Sequence, residues 1–393
     1  MPTLSIDGFF RVEIVTSSPA ATSESPPAPP PAGERPAAPG LSLDDWTAWM
    51  KERGESAYRA KQVVEWIFKK RAAAFAEMSS LGADLRAALD AAFRLRPVSL
   101  VKAEGAADAT RKFLFRLEKD GRLVETVLIP ATPGLDGDRS DRLTLCVSSQ
   151  VGCAYDCKFC ASGLAGFARN LDAGEIVGQL LEAERVSGGR VDNVVFMGMG
   201  EPLANFANVT RAIGILNAHW GVGIGARHIT VSTSGLAPQI EKLAAIEVPV
   251  RLAVSLHGAT DPVRDRIMPV NRQYPLDRLF AALRVWSERR KQKITFEYIL
   301  IDGVNDGLDE AEHLARRGRA LGAKVNLIPY NTVEGLEWKR PPVRRQQAFF
   351  QVLQRHRVPC TLRREKGHDI AAACGQLRLR EETAAGIIPP GRA

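Results

Sequence analysis

The 393-residue chain lacks any apolar run approaching the ~20 residues that a membrane-spanning helix needs, which argues against a transmembrane protein. Its first residues show neither the basic start nor the apolar core of a secretory signal. Cysteine is scarce, at six residues, and four of the six crowd into fifteen positions, a distribution that fits a reducing cytoplasm better than a disulfide framework. A composition of 45% hydrophobic and 25% charged residues is that of a globular chain, long enough for one large domain and a smaller one.

An acidic balance is also missing. Residues 339–380 hold eleven Lys and Arg against two acids, a local +9 within a total of +8, so the remainder sums to −1. A basic block on a nearly neutral protein suits a polyanion, and nucleic acid is the partner expected; a solvated basic face is the plainer alternative.

The cysteine cluster organises the rest. Residues 143–163 read LTLCVSSQVGCAYDCKFCASG, with Cys153, Cys157 and Cys160 in a C-x3-C-x2-C spacing and Phe159 before the third. Three thiolates in one loop can reach three irons of a cubane, and with no fourth cysteine at matching spacing one iron stays open for a chelating ligand. A zinc knot completed by Cys146, or a buried inert cluster of thiols, are the competing readings.

Along the chain, 9–15 resembles a short strand and 16–40 is Pro/Ala/Ser-rich, read as a disordered linker. Ser42 with Asp45 resembles a capping box opening a helix, followed by helices after Ser56 and over 81–93. Arg59, Lys61, Lys69, Lys70 and Arg71 give the second a basic face, either a nucleic-acid contact or a solvated side. Residues 110–130 alternate around Asp120-Gly121 as a hairpin, whose Glu125 by default points outward into water.

From 143 onward six strand-like runs (143–148, 193–197, 228–232, 250–256, 294–300, 324–329) alternate with helical ones. Six βα units imply a parallel sheet too small for a closed eight-fold barrel, hence a curved partial barrel with chemistry at the strand C-terminal ends. Gly200-Glu201, Ser232 to Ser234, Ser255-Leu256-His257 and Asn331 all fall at such ends. Together they describe a mouth able to hold a polar, zwitterionic nucleoside beside the open iron, although Gly200 alone could be a turn glycine and His257 a capping histidine. Cys374 lies in a small-residue segment near the C-terminus, where a reactive and a buried thiol are both open readings; Cys360 reads as a strand thiol.

These motifs (TLCVSSQVGC-x3-C-x2-C, GMGEPL, VSTSG, SLH, NLIPYN, AACGQL) resemble those of the radical S-adenosylmethionine (SAM) enzymes, and within them the RNA adenine methyltransferases RlmN and Cfr, from about residue 41 to 377. The resemblance implies an α/β fold: a partial (β/α)6 radical SAM barrel over 139–380, a helical RNA-binding accessory domain over 41–96, and a β-hairpin linker over 97–138, with an extension over 1–40 and a tail over 381–393. It implies a 4Fe-4S cluster on Cys153, Cys157 and Cys160, and a SAM site from Gly200, Glu201, Ser232 or Ser234, Ser255, Leu256, His257 and Asn331.

By the same resemblance one SAM methylates Cys374, whose thiol substitutes for the electron-poor C2 of adenine as nucleophile. A second SAM yields a 5′-deoxyadenosyl radical that takes hydrogen from that methyl, and the methylene radical adds to the base. Cys146 then resolves the crosslink, leaving a disulfide, and Glu125 is the candidate base for the ring proton, a hydrogen bond to the target nucleotide being the alternative. The implied partners are 23S rRNA, tRNA and an electron donor such as flavodoxin or ferredoxin; a cytoplasmic monomer is expected. Both C2 and C8 methylation share these motifs, and C2 is favoured as the commoner activity. A non-catalytic RNA-binding protein with a structural metal is the rival from a different class, and a radical enzyme acting on a small metabolite sits poorly with the basic block.

Overall fold

A computed structural model describes residues 35–105, 110–131, 142–164, 166–333, 335–363 and 376–384. The strand-like run at 9–15 and the segment carrying Cys374 lie outside the described residues.

Three helices come first: α1 (Leu43–Glu52), α2 (Ala57–Phe68) and α3 (Ala83–Ala92). The capping box is present, with Asp45 N donating to Ser42 Oγ at 3.1 Å and Ser42 N to Asp45 Oδ2 at 2.7 Å. Their inward faces, including Trp46, Met50, Val63, Ile67 and Phe68, are buried. Strands β1 (Val98–Glu104), β2 (Arg111–Leu117), β3 (Leu123–Pro130) and β4 (Leu143–Cys146) follow, then a small hairpin of β5 (Gln150–Gly152) and β6 (Phe167–Asn170) with α4 (Ala161–Leu164) between them.

The alternating core then runs α5 (Ala173–Ser187), β7 (Asn193–Phe196), α6 (Phe206–Asn217), β8 (Ile229–Thr233), α7 (Ala237–Leu243), β9 (Arg251–Ser255), α8 (Asp261–Ile267), α9 (Val270–Gln273), α10 (Leu276–Arg290), β10 (Thr295–Leu300), α11 (Leu308–Ala320) and β11 (Lys324–Pro329). It closes with α12 (Val343–Arg355), β12 (Cys360–Leu362) and α13 (Gln376–Ala384).

The main sheet has the order β1-β2-β3-β4-β7-β8-β9-β10-β11-β12. From β4 onward every pairing is parallel, while β1, β2 and β3 join antiparallel at the β4 edge. The parallel run is thus one strand longer than the six expected. β12 pairs with β11 through Cys360, Thr361 and Leu362, because α12 supplies a further crossover that the basic composition of its segment concealed. The hairpin, read as a linker, is a continuation of the same sheet. Each parallel strand alternates between core residues such as Val231, Val254, Phe296 and Tyr298 and residues facing the concave side.

The helical region docks on α5 and α6 through small residues and directed charges. Ala37, Ala38 and Gly40, the end of the stretch read as disordered, are buried. Their small size allows the chain to lie against Gly174, where an added Cβ would come within 2.4 Å of Ala37 Cβ. Lys69 Nζ donates to Gly221 O at 2.8 Å and Arg71 to Glu184 Oε2 at 2.9 and 2.6 Å, so part of the basic face of α2 is taken up by this interface. Phe68 meets Trp220 edge-on at 6.0 Å. Among the described residues no helix is long and apolar enough to cross a membrane.

Gly174→Ala should overpack this contact and destabilise the fold by about 1–3 kcal/mol. A thermal melt would show it as a lowered midpoint, whereas an exposed glycine with open space around it, Gly82, should tolerate the same change.

Candidate functional site

The C-terminal ends of the parallel strands enclose a cavity of about 420 Å³. One wall is the loop between β5 and β6. Gly152, with φ +77°, closes the base of that hairpin so tightly that a Cβ there would sit 1.7 Å from Gly166 O. Cys153 N donates to Gly166 O at 3.0 Å. Further out, Lys158 N donates to Ile267 O at 2.9 Å and Trp338 Nε1 to Lys158 O at 2.8 Å, so the loop is held from two sides.

Cys153, Cys157 and Cys160 all line the cavity, and so does Cys146 at the end of β4. Burial pushes the Cys153 thiol up to about 12 and the Cys157 thiol well above its ordinary value, with neighbouring thiols adding to the effect. Among the described residues no three Cys, His, Asp or Glu side chains are gathered tightly enough to grip a single ion. A polynuclear iron–sulfur group is larger than an ion and takes one thiolate per iron, which suits three soft donors spread along one loop. Ser162 Oγ, buried beside them, has no hydrogen-bond partner among the described residues. The donor set therefore fits such a group.

Glu201 stands opposite, 4% exposed. Its Oε1 accepts from Leu203 N at 2.9 Å and its Oε2 from Ser234 N at 2.7 Å, while its own N–H donates to Gln150 Oε1 at 2.9 Å. Burial raises its pKa above the ordinary carboxylate range, and these hydrogen bonds pull the other way. Gly200, at φ +94°, lies so close to Gln150 that a Cβ would be 2.4 Å from its Cβ. Ser232 Oγ and Ser255 Oγ are 3.4 Å apart.

Of the Ser255-Leu256-His257 run, Ser255 and His257 line the cavity, whereas Leu256 turns into the core, as strand alternation requires. His257 Nδ1 accepts from Ile299 N at 3.0 Å, so the neutral ring carries its hydrogen on Nε2. Burial, aided by the Arg264 charge, brings this imidazole down to about 3. Phe159 packs edge-on against it at 4.8 Å. Arg264, fully buried, ties strand ends together by donating to Leu256 O at 3.1 Å, Asn271 Oδ1 at 2.7 Å and Ser234 O. Asn331 lines the cavity and accepts from Arg340 Nη2 at 3.3 Å.

Glu125 corrects the sequence reading. Far from facing water, it is 1% exposed. The face of the hairpin that alternation assigned to solvent is covered by α13, whose Leu377 packs with Leu114 and Leu123. Glu125 Oε1 accepts from Arg378 N at 2.7 Å, and Oε2 lies 3.8 Å from Nζ of the equally buried Lys112. Lys112 lines the cavity; Glu125 stands behind it. Sequence reasoning passed over Glu297 and Asn326, which line the cavity, and Arg340 and Arg363, read as part of the basic block for a polyanion, line it too; the alternation of Phe296-Glu297-Tyr298, apolar on either side of an inward acid, was the available signal. Of the basic block, Arg345 reaches Asp306 at 3.8 Å and Arg380 reaches Glu104 at 3.7 Å, so part of its charge is neutralised within the protein.

Residues 147–317 match the radical SAM superfamily, and residues 39–95 match the ribosomal RNA large subunit methyltransferase N-terminal domain. A protein of Akkermansia muciniphila named "Probable dual-specificity RNA methyltransferase RlmN" is 55% identical over 335 residues, 85% of this chain and 93% of its own. The chain belongs to the RlmN family. A Campylobacter fetus protein named "Dual-specificity RNA methyltransferase RlmN" is 44% identical over 333 residues, covering 83% of this chain and 94% of its own. The crystal structure of a radical SAM methyltransferase from Sphaerobacter thermophilus superposes with a TM-score of 0.81 at 43% identity, over 87% of this chain and 98% of that one. The fold is accordingly the α/β radical SAM fold with an N-terminal helical region.

Removing one member of the buried Lys112–Glu125 pair takes its opposite charge away from the other in a site withdrawn from water, so Lys112→Met and Glu125→Leu should each destabilise by about 3–5 kcal/mol. The double variant should recover much of that loss in chemical denaturation, and equal additive losses would show that the two charges are not coupled.

Proposed function

We propose that this RlmN-family protein is a radical SAM methyltransferase that methylates C2 of an adenosine in 23S rRNA and in tRNA, consuming two SAM and using an S-methylated Cys374. The observation that carries the proposal is Cys146. A radical SAM site needs the three cysteines of its loop, and here a fourth thiol lines the same cavity.

Cys153, Cys157 and Cys160 would hold a 4Fe-4S cluster, which when bound supplies the single electron for reductive cleavage of SAM. Gly200, Glu201, Ser232, Ser234, Ser255, His257 and Asn331 form the SAM site in this reading. Glu201, its carboxylate anchored by the backbone of Leu203 and Ser234, receives the methionyl ammonium. Leu256 contributes through its backbone carbonyl, which fixes Arg264, because its side chain belongs to the core.

The Cys374 sulfur attacks the SAM methyl group; its S–C bond forms as the donor's C–S bond breaks, releasing S-adenosylhomocysteine. After the carbon has been joined to the base, Cys146 attacks the Cys374 sulfur. An S–S bond forms, the S–C bond to the base breaks, and the carbon keeps the electron pair and takes up a proton. Cys146 meets the demand for a thiol buried until needed, at 4% exposure on the cavity wall. Glu125 is the proposed base for the ring proton; since its Oε1 is held by the start of α13, that role requires this helix end to move aside. The excess of Lys and Arg over acids in residues 339–380 and the exposed charges of α2 supply affinity for RNA phosphates, and flavodoxin or ferredoxin is the donor class suited to deliver the electron.

The deciding experiment uses anaerobically prepared protein and an RNA substrate. Mass spectrometry of the peptide containing Cys374 should show one added methyl group, and nuclease digests of treated RNA should contain 2-methyladenosine. Cys146→Ala should accumulate a covalent protein–RNA adduct, and Cys374→Ala should form neither adduct nor product. Release of 8-methyladenosine would reassign the target atom, and an unmethylated Cys374 with full turnover would overturn the proposal.

A further inference from the structure

A second set of polar groups occupies the cavity beyond the residues assigned above. Strand register places Ser255 opposite Glu297, Glu297 opposite Asn326 and Asn326 opposite Thr361. Ser232, on the neighbouring strand, touches this row through Ser255. The result is one polar layer across β8 to β12 on the concave face, in a sheet whose opposite face is apolar.

Within the layer, Thr361 Oγ1 donates to Asn326 Oδ1 at 2.9 Å, and Asn326 Nδ2 donates to Glu297 Oε2 at 2.7 Å. The chain of donors thereby aims the Glu297 carboxylate and fixes the amide orientation of Asn326. Glu297 is 9% exposed and lines the cavity. Among the described residues no donor hydrogen-bonds its Oε1. That oxygen opens on the cavity, where a ligand's donors can take the place of water, and Arg363 and Lys324 act on the carboxylate only through their charge. The cavity side of Glu297 therefore calls for a ligand that brings hydrogen-bond donors.

We infer that Glu297, oriented by Asn326, accepts hydrogen bonds from the ribose 2′- and 3′-hydroxyls of SAM. The inference rests on the SAM reading of this cavity. Ser255, one strand away in register, belongs to that site. A carboxylate matches a vicinal diol because its two oxygens can take both hydroxyl protons. SAM offers both hydroxyls free, whereas a nucleotide within an RNA chain has its 3′ oxygen esterified, so the chemistry selects the cofactor's sugar over the substrate's.

The test is isothermal titration calorimetry with S-adenosylhomocysteine and its 2′-deoxy and 3′-deoxy analogues, which bind without reacting. Wild-type protein should bind each deoxy analogue at least about tenfold more weakly than the parent, as expected for losing a hydrogen bond to a buried charged acceptor. E297Q retains an oxygen for Asn326 Nδ2 but offers a single acceptor. It should weaken S-adenosylhomocysteine by about 10–100-fold and shrink the penalty for the deoxy analogues. Equal wild-type affinities for parent and analogues, or an unchanged preference in E297Q, would overturn the inference. So would an E297Q whose nucleoside affinity is intact while its affinity for a short RNA falls, since Glu297 would then serve the substrate. Wild-type protein that binds no S-adenosylhomocysteine would instead remove the SAM reading on which the inference stands. The analogue series on wild-type protein decides the matter even if E297Q fails to fold.

Discussion

A single buried carboxylate ties the site together. Glu201 collects the backbone N–H groups of Leu203 and Ser234 and, through its own N–H, the side chain of Gln150 at the base of the cysteine loop. Strand ends leave backbone donors without partners, and a buried anion needs donors to offset the loss of water. Each requirement answers the other here. The ends of β7 and β8 and the hairpin carrying the thiols are locked around one residue, the strand ends through its carboxylate and the hairpin through its N–H, and the positive φ of Gly200 permits the close approach.

The same balance recurs around the cavity with different partners. Arg264 offsets its burial with two backbone carbonyls and Asn271, joining the ends of β8 and β9 beneath the cysteine loop. Lys112 and Glu125 offset each other, and Glu125 turns its second oxygen to the first turn of α13. The hairpin sheet is thereby tied to the start of α13, at Gln376 and Arg378, by one hydrogen bond from a buried ion pair. Preorganised polar groups of this kind need no rearrangement when charge develops beside them.

Much of this arrangement was legible beforehand. The cysteine spacing, the capping box at Ser42 and Asp45, the hairpin about Asp120-Gly121 and the alternation of strands and helices are local signals, set by residues near one another in the chain. The strand-end positions Gly200, Glu201, Ser232 and His257 followed from one rule about parallel sheets. Less legible were β12, the packing of residues 37–40, and the orientation of Glu125. Each depends on a partner remote in sequence: β11, Gly174 and α13 respectively.

Element types and the donor chemistry of the loop are written locally, because periodicity and turn residues act over a few positions. Which polar side chains are stripped of water is settled by packing between segments remote in the chain. Burial is a property of what covers a residue. Glu125 and Glu297 each occupy an alternating strand, yet α13 shuts one away behind Lys112 while the curvature of the sheet opens the other onto the cavity.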